Sequence, residues 1–360
     1  MSMKNKIIFT LPVLLLLLVS CKEDGNTLKV AVPFSSHMVL AKERCVQVFG
    51  EGRGRVSVSV AGHTARTKAQ DGRWLITLPA MPAGGPYTMT VRSGGEKIIY
   101  EDVMVGWVIM LAGQSNLKFK LHESSTPREE WVDDPMLREY TVDHTEDGEP
   151  HCSAEGWLDC TAEDAGNWSA VGYHLGMDIR KRTGEAVGIV NCYQGASIIE
   201  AWIPEEISQR NCYVLPAEEL DGSHTYPPYQ KFNQPGLLYE RMIGKFKPYT
   251  VSNVVWYQGE SNTGSGEYKI YPQLVCELIN CWRDDFKEPD LPFTIVQIAN
   301  LAGRNDDGWK NLQNAQMLIP SMIDGVTAVR SADVCEDDSI HPKTKSILAG
   351  RIADVIVPAI

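Results

Sequence analysis

Val108-Ile109-Met110-Leu111-Ala112 runs straight into Gly113-Gln114-Ser115-Asn116, so an unbroken apolar stretch ends in a compact polar turn. Five consecutive apolar residues without alternation describe a strand covered on both faces, the state of a strand inside a parallel sheet. Working outward, the same pattern recurs at Ala186-Val187-Gly188-Ile189-Val190, at 251–257, at 293–298 and more weakly at 326–329. Between these runs lie stretches of helical periodicity at 170–183, 235–246, 268–286 and 309–318. Buried strands separated by helices predict a three-layer α/β domain over 106–360, built on a parallel sheet. Ligand groups in such domains gather outside the carboxyl ends of the strands, which directs attention to the loop carrying Ser115.

Before residue 106 the pattern is different. Val56-Ser57-Val58-Ser59-Val60 alternates with period two, as do Arg73-Trp74-Leu75-Ile76-Thr77-Leu78 and Tyr87-Thr88-Met89-Thr90-Val91. Turn-forming clusters at Gly50-Glu51-Gly52, Gln70-Asp71-Gly72 and 81–86 separate them. Short alternating strands at this spacing predict a small β-sandwich module over 28–105.

The first twenty residues form a third kind of segment. Lys4 and Lys6 precede an apolar run from Ile7 to Val19 that Pro12 interrupts and that is short for a membrane span, the make-up of an export signal. It ends in Leu18-Val19-Ser20-Cys21, followed by the polar Lys22-Glu23-Asp24-Gly25-Asn26. Leu-Val-Ser-Cys resembles the lipobox of bacterial lipoproteins. That resemblance implies cleavage of the signal peptide 1–20, a lipid on Cys21, an anchor linker over 21–27, and an exported protein held at the cell envelope, touching the membrane through its lipid alone. The alternative is an ordinary secretory peptide.

The chain carries a formal net charge of −12, and loss of residues 1–20 removes two lysines and no acid, leaving −14. Such a surface argues against nucleic acid as a partner. Nine cysteines are present, and eight remain if Cys21 is lipidated. An even number in an oxidising compartment permits disulfides, although a chain of this size does not need them. Cys276 and Cys281 read as small buried hydrophobes of a helix, a bridge between them being the alternative, and no cysteine pair has the company of a zinc site. The sequence calls for no metal and no cofactor.

Four polar segments follow the buried strands or precede the last helix: 113–116, 192–197, 258–262 and Asp337-Asp338-Ser339-Ile340-His341-Pro342. Acyl transfer needs an activated hydroxyl, an imidazole that takes and returns its proton, a carboxylate that orients the imidazole, and donors aimed at the developing oxyanion. Ser115, His341 and Asp338 supply the first three. Asp337 or Glu260 could replace Asp338, and Glu260 could instead hydrogen-bond into the site as a structural acid. The amide of Ser115, the backbone at Gly195 and the side chain of Asn262 are the candidate oxyanion donors. Pro342 is placed to open a terminal helix. The absence of a Gly-x-Ser-x-Gly elbow disfavours an ordinary α/β-hydrolase.

These motifs, in this order, resemble the sialate O-acetylesterase family of the SGNH hydrolases: Gly113-Gln114-Ser115-Asn116, the stretch 197–202 after Gly195, Trp256-Tyr257-Gln258-Gly259-Glu260-Ser261-Asn262, and Asp338-Ser339-Ile340-His341-Pro342. Ser36-His37-Met38-Val39-Leu40 and Asp71-Gly72-Arg73-Trp74 extend the similarity into the front module. The resemblance implies a flavodoxin-like parallel sheet and a metal-free serine esterase that removes O-acetyl groups from sialic acid, with Ser115 as nucleophile, His341 as base, Asp338 its partner, Gly195 and Asn262 as oxyanion donors, and Gln258 and Glu260 in the site. Two departures bear on the pocket: the family's second glycine and threonine are Ala196 and Ser197, and its methionine after Asn116 is Leu117. Trp202, Trp256 and Tyr257 are candidate stacking faces for a sugar. Another O-acetylated glycan such as xylan is an alternative substrate, and a non-catalytic glycan-binding protein is the alternative of a different class.

Overall fold

The computed structural model describes residues 27–142, 156–304 and 307–357. The leader, Cys21 and Cys152 lie outside the described residues. In chain order the strands are β1 (Lys29–Val30), β2 (Val39–Ala41), β3 (Val46–Glu51), β4 (Arg55–Val60), β5 (His63–Lys68), β6 (Arg73–Leu78), β7 (Gly84–Ser93), β8 (Glu96–Gly113), β9 (Asp134–Thr141), β10 (Leu158–Cys160), β11 (Val187–Tyr193), β12 (Asn253–Tyr257), β13 (Phe293–Val296) and β14 (Val326–Val329). The α-helices are α1 (Ser115–Lys118), α2 (Ala170–Thr183), α3 (Glu205–Ser208), α4 (Gly244–Phe246), α5 (Tyr271–Phe286), α6 (Asp307–Leu318) and α7 (Ser346–Ile356).

The five buried runs read from the sequence are the heart of one sheet, in the spatial order β11-β8-β12-β13-β14, and every neighbouring pair among them is parallel. With β9, which lies parallel beyond β11, the parallel strands run second, third, first, fourth, fifth, sixth in chain order. Side-chain alternation assigns the helices to opposite faces. Leu111 and Ile189 meet Gly172 of α2, whereas Trp256, whose register partner is Ala112, packs edge-on against Trp282 of α5. The chain is therefore a mixed α/β protein with a helix-covered sheet. Ser169 caps α2 by accepting from the amide of Gly172, and Gly184 closes it in the left-handed conformation.

Two expectations need correction. The helix expected over 235–246 is a π-helical turn, Tyr239–Ile243, running into the short α4. α7 begins at Ser346, so Pro342 belongs to the preceding loop and does not open the helix. The sheet also extends past the five runs: β9 lies parallel to β11, with β10 antiparallel beyond it.

In the front region β1, β3 and β6 form a three-stranded sheet, while β5, β4 and β7 pair in turn and end on β8. The eighteen-residue β8 is shared. Its first half pairs antiparallel with β7, and its second half is flanked by β11 and β12, so one strand crosses residue 105/106. Buried Arg138 of β9 also ties the two regions: its guanidinium donates to the carbonyls of His37 and Asp102 (2.8 and 2.6 Å) and contacts the Asp102 and Asp159 carboxylates. All seven described cysteines are free thiols, including the half-buried Cys276 and Cys281 of α5.

Candidate active site

Three strand ends lie level. Gly113 of β8 pairs with Tyr193 of β11 on one side and Tyr257 of β12 on the other. The chain leaves all three at the same height: the amide of Gln114 donates to the Tyr257 carbonyl (3.0 Å), and the amide of Gln194 donates to that of Gly113 (2.9 Å). The buried Gln114 side chain then accepts from the amide of Gly259 (3.2 Å). Register thus brings the loops of Ser115, Gly195 and Glu260 together at one rim. Ser115, half-buried, opens α1, and a Cβ built on Gly195 would lie 3.7 Å from the Ser115 Cβ, so the two face each other at van der Waals distance.

Asn116 draws in the fourth loop. One Nδ2 hydrogen goes to the Glu260 carboxylate (2.5 Å) and the other to the Ile340 carbonyl (3.0 Å), immediately before His341. Its Oδ1 accepts from the Lys345 ammonium (2.6 Å). The three bonds use both donors and the acceptor of the amide. The His341 ring stacks on Phe119, just past α1, with centroids 6.0 Å apart. Burial first, and the Lys345 ammonium second, hold this imidazole below its ordinary 6.5, against a smaller opposing pull from Glu123. A lowered value keeps the ring neutral, the form a general base needs, further into the acid range.

Ser115 Oγ, the His341 ring and the Asp338 carboxylate make no hydrogen bond with one another or with any other described residue, and Asp338 is exposed. The structure brings the loops of Ser115 and His341 together through the Asn116 bond and the Phe119 ring, while the chain of proton-transfer contacts, which often tightens only around substrate, is not closed. Glu260 sits differently. It is buried, burial raises its pKa, and one oxygen is bonded to Asn116 while Oε2 has no partner among the described residues. This is the geometry of a structural acid.

Asn262 does not have the freedom its expected oxyanion role requires. Its Nδ2 donates to Glu200 (3.1 Å) and Glu267 (2.9 Å), and its Oδ1 accepts from the Ile199 amide and from Gln258 Nε2. Both hydrogens are held by carboxylates, so Asn262 braces the stretch after Gly195 from below. Gln258 is likewise scaffolding, fully buried and bonded to Ser197 O and to the Tyr271 hydroxyl. His224 completes this lower layer at 2.7 Å from Glu267. Burial disfavours its charged form, yet the bond to Glu267 and the charges of Glu200, Glu267 and Asp221 raise its pKa. Ala196, where the family pattern has glycine, stands at φ +57°, a conformation costing an L residue about 1 kcal/mol. Trp202, Trp256 and Tyr257 are wholly buried and offer no face to a sugar.

Residues 105–354 match the family model described as carbohydrate esterase, sialic acid-specific acetylesterase. The chain belongs to this family of carbohydrate esterases. The human sialate O-acetylesterase is 26% identical over 385 residues, covering 94% of this chain and 72% of the relative, and the mouse protein of the same name is 24% identical over 94% and 75%. The crystal structure of a carbohydrate acetylesterase from Xanthomonas citri superposes with a TM-score of 0.78 at 29% identity, covering 90% of this chain and 73% of that one. This acetylesterase is accordingly a carboxylic ester hydrolase, acting on O-acetyl groups of sialic acid or another glycan.

Two site residues of the acetylesterase carry no legible sign in the sequence. Lys345 stands in the polar Pro342-Lys343-Thr344-Lys345 and resembles the exposed Lys343, yet only 1% of it is accessible. Phe119, the ring beneath His341, reads as one more apolar residue after a short helix.

Proposed function

We propose that this acetylesterase removes O-acetyl groups from sialic acid, with the 9-O-acetyl ester as the preferred substrate, through an acetyl-enzyme on Ser115. The observation that carries the reading is the convergence of four motif loops: three strand ends in register at Gly113, Tyr193 and Tyr257, with Asn116 bonded to the loop of His341. The Ser115 hydroxyl attacks the acetyl carbonyl carbon as His341 takes its proton, and Asp338 orients the imidazole. The carbonyl oxygen, now negative, faces the backbone amides of Ser115, Gly195 and Ala196. Collapse breaks the ester bond, and the departing sugar oxygen receives the proton from His341. Water then attacks the acetyl-enzyme, passing its proton to His341. Acetate leaves as the Ser115 oxygen takes that proton back.

The sialic acid substrate draws support from the family match and from the curated relatives named sialate O-acetylesterase. Another acetylated glycan is the second reading, favoured by the likeness to the Xanthomonas citri carbohydrate acetylesterase. Incubation with a mixture of O-acetylated sialic acids and acetylated xylo-oligosaccharides, read by mass, is expected to show release of acetate from the sialic acids first, each acetyl ester being replaced by a hydroxyl. Preferential deacetylation of the xylo-oligosaccharides would transfer the assignment to the second reading.

The domain plan and location belong to the same proposal. Residues 28–105 form a β-sandwich module in front of an SGNH-type esterase domain over 106–360; residues 1–20 are a signal peptide and Cys21 carries the lipid that anchors the exported protein. Cells fed a clickable fatty acid are expected to label the wild-type protein and not Cys21→Ala. Equal labelling of both would remove the anchor from the proposal.

A further inference from the structure

We propose that Lys345 is a positioning residue of this active site: its ammonium, bonded to Asn116, holds the loop of His341 against the loop of Ser115. The inference rests on the reading of those two residues as base and nucleophile, and it concerns a residue that no motif in the sequence singles out.

Burying a lysine costs free energy unless its charge is matched by partners. Here the head group lies between the loop after β8, the end of β12 and the loop that carries His341. It donates to Asn116 Oδ1 at 2.6 Å, sits 5.2 Å from the Phe119 ring centre and 6.0 Å from that of Tyr257, and feels the charges of Glu260 and Glu336. Burial lowers its pKa to about 8, which leaves the charged form dominant at neutral pH.

The consequence falls on Asn116. Its amide lies between a cation on the Oδ1 side and the Glu260 carboxylate on the Nδ2 side. Rotating that amide by half a turn would set its NH2 against an ammonium and its oxygen against a carboxylate, so the two charges fix one orientation. Only in that orientation does the second Nδ2 hydrogen reach the Ile340 carbonyl. Lys345 thus decides which way the link to the His341 loop points. Its charge also acts on His341, the other charged or titratable neighbour of that ring being Glu123.

The test compares the full-length protein with Lys345→Arg, Lys345→Met, Lys345→Gln and Ser115→Ala on a chromogenic acetyl ester, measuring kcat, KM and the pH profile of kcat/KM. The expected result for Lys345→Met is a fall in kcat on the order of a hundredfold with KM little changed, because a misdirected base costs turnover more than binding. The acid limb of kcat/KM, below pH 6.5 in the wild type, moves to higher pH once the neighbouring cation is gone. Lys345→Arg restores the limb. Lys345→Gln provides the same pH reading if the methionine variant fails to fold. Wild-type kcat and an unmoved acid limb in the uncharged variants, with Ser115→Ala inactive, overturn the positioning role alone. Activity persisting in Ser115→Ala overturns the catalytic reading and this inference with it.

Discussion

Ser115→Ala is expected to lower kcat/KM for a chromogenic acetyl ester by about 10⁴-fold or more while leaving the melting temperature where it was. The size follows from the role: without the hydroxyl there is no acetyl-enzyme, and a serine hydrolase stripped of its nucleophile retains only what its oxyanion donors and binding surface contribute to attack by water. The unchanged stability follows from the structure. Ser115 is half-buried, its hydroxyl bonds to no described residue, and the position preceding α1 is Gln114, whose side chain is engaged with Gly259. Alanine therefore removes one oxygen that supports nothing else. A variant that keeps activity within about tenfold of wild type would remove Ser115 from the mechanism, and one that melts much earlier would show that the serine has a structural task the hydrogen bonds do not reveal.

The parts of this protein that could be read from its sequence are those whose physical cause is local. Apolar runs such as 108–112 and 187–190 identify themselves because a strand covered on both faces has no room for a polar residue, and the polar turns after them mark the rim by contrast. β9 escaped the same reading because Arg138 and Glu139 interrupt it. These polar groups find partners only in other segments of the chain, Asp102 and Asp159 for the arginine and Asn191 for the glutamate, whose pKa burial still pushes up to about 7. The site shows the same division. Ser115, Gly195, Glu260 and His341 stand in recognisable motifs, and the register of β8, β11 and β12 sets three of their loops side by side. What no local pattern conveys is how side chains are committed. Asn262 has the right residue type for an oxyanion donor, yet two carboxylates, the distant Glu200 and the nearby Glu267, hold both its hydrogens. Lys345 looks like a solvated lysine until tertiary packing encloses it.

Gly113→Ala is expected to damage both quantities that Ser115→Ala separates. Gly113 stands at the end of β8 with φ +138°, a conformation that costs an L residue about 1–3 kcal/mol. A Cβ there would lie 2.1 Å from the Tyr257 carbonyl oxygen, 2.6 Å from its carbon and 3.1 Å from the Tyr257 nitrogen. All three are backbone atoms of β12, so no rotamer change relieves the contact, and overpacking adds about 1–3 kcal/mol or more. The sum, roughly 2–6 kcal/mol, should appear as a melting temperature lowered by several degrees. Relief requires β8 and β12 to part, which lengthens the 3.0 Å bond from the Gln114 amide to the Tyr257 carbonyl and displaces the nucleophile's loop from the Gly195 and His341 loops. Since a displacement of about 1 Å can cost a hundredfold in rate, kcat should fall by at least that order. Gly195→Ala is the control for crowding alone: its added methyl meets the Ser115 Cβ at 3.7 Å, an ordinary contact, so that variant should fold like the wild type. If Gly113→Ala melts and turns over as the wild type does, the level strand ends are not what holds the nucleophile in place, and the support must come from the Asn116 bonds instead.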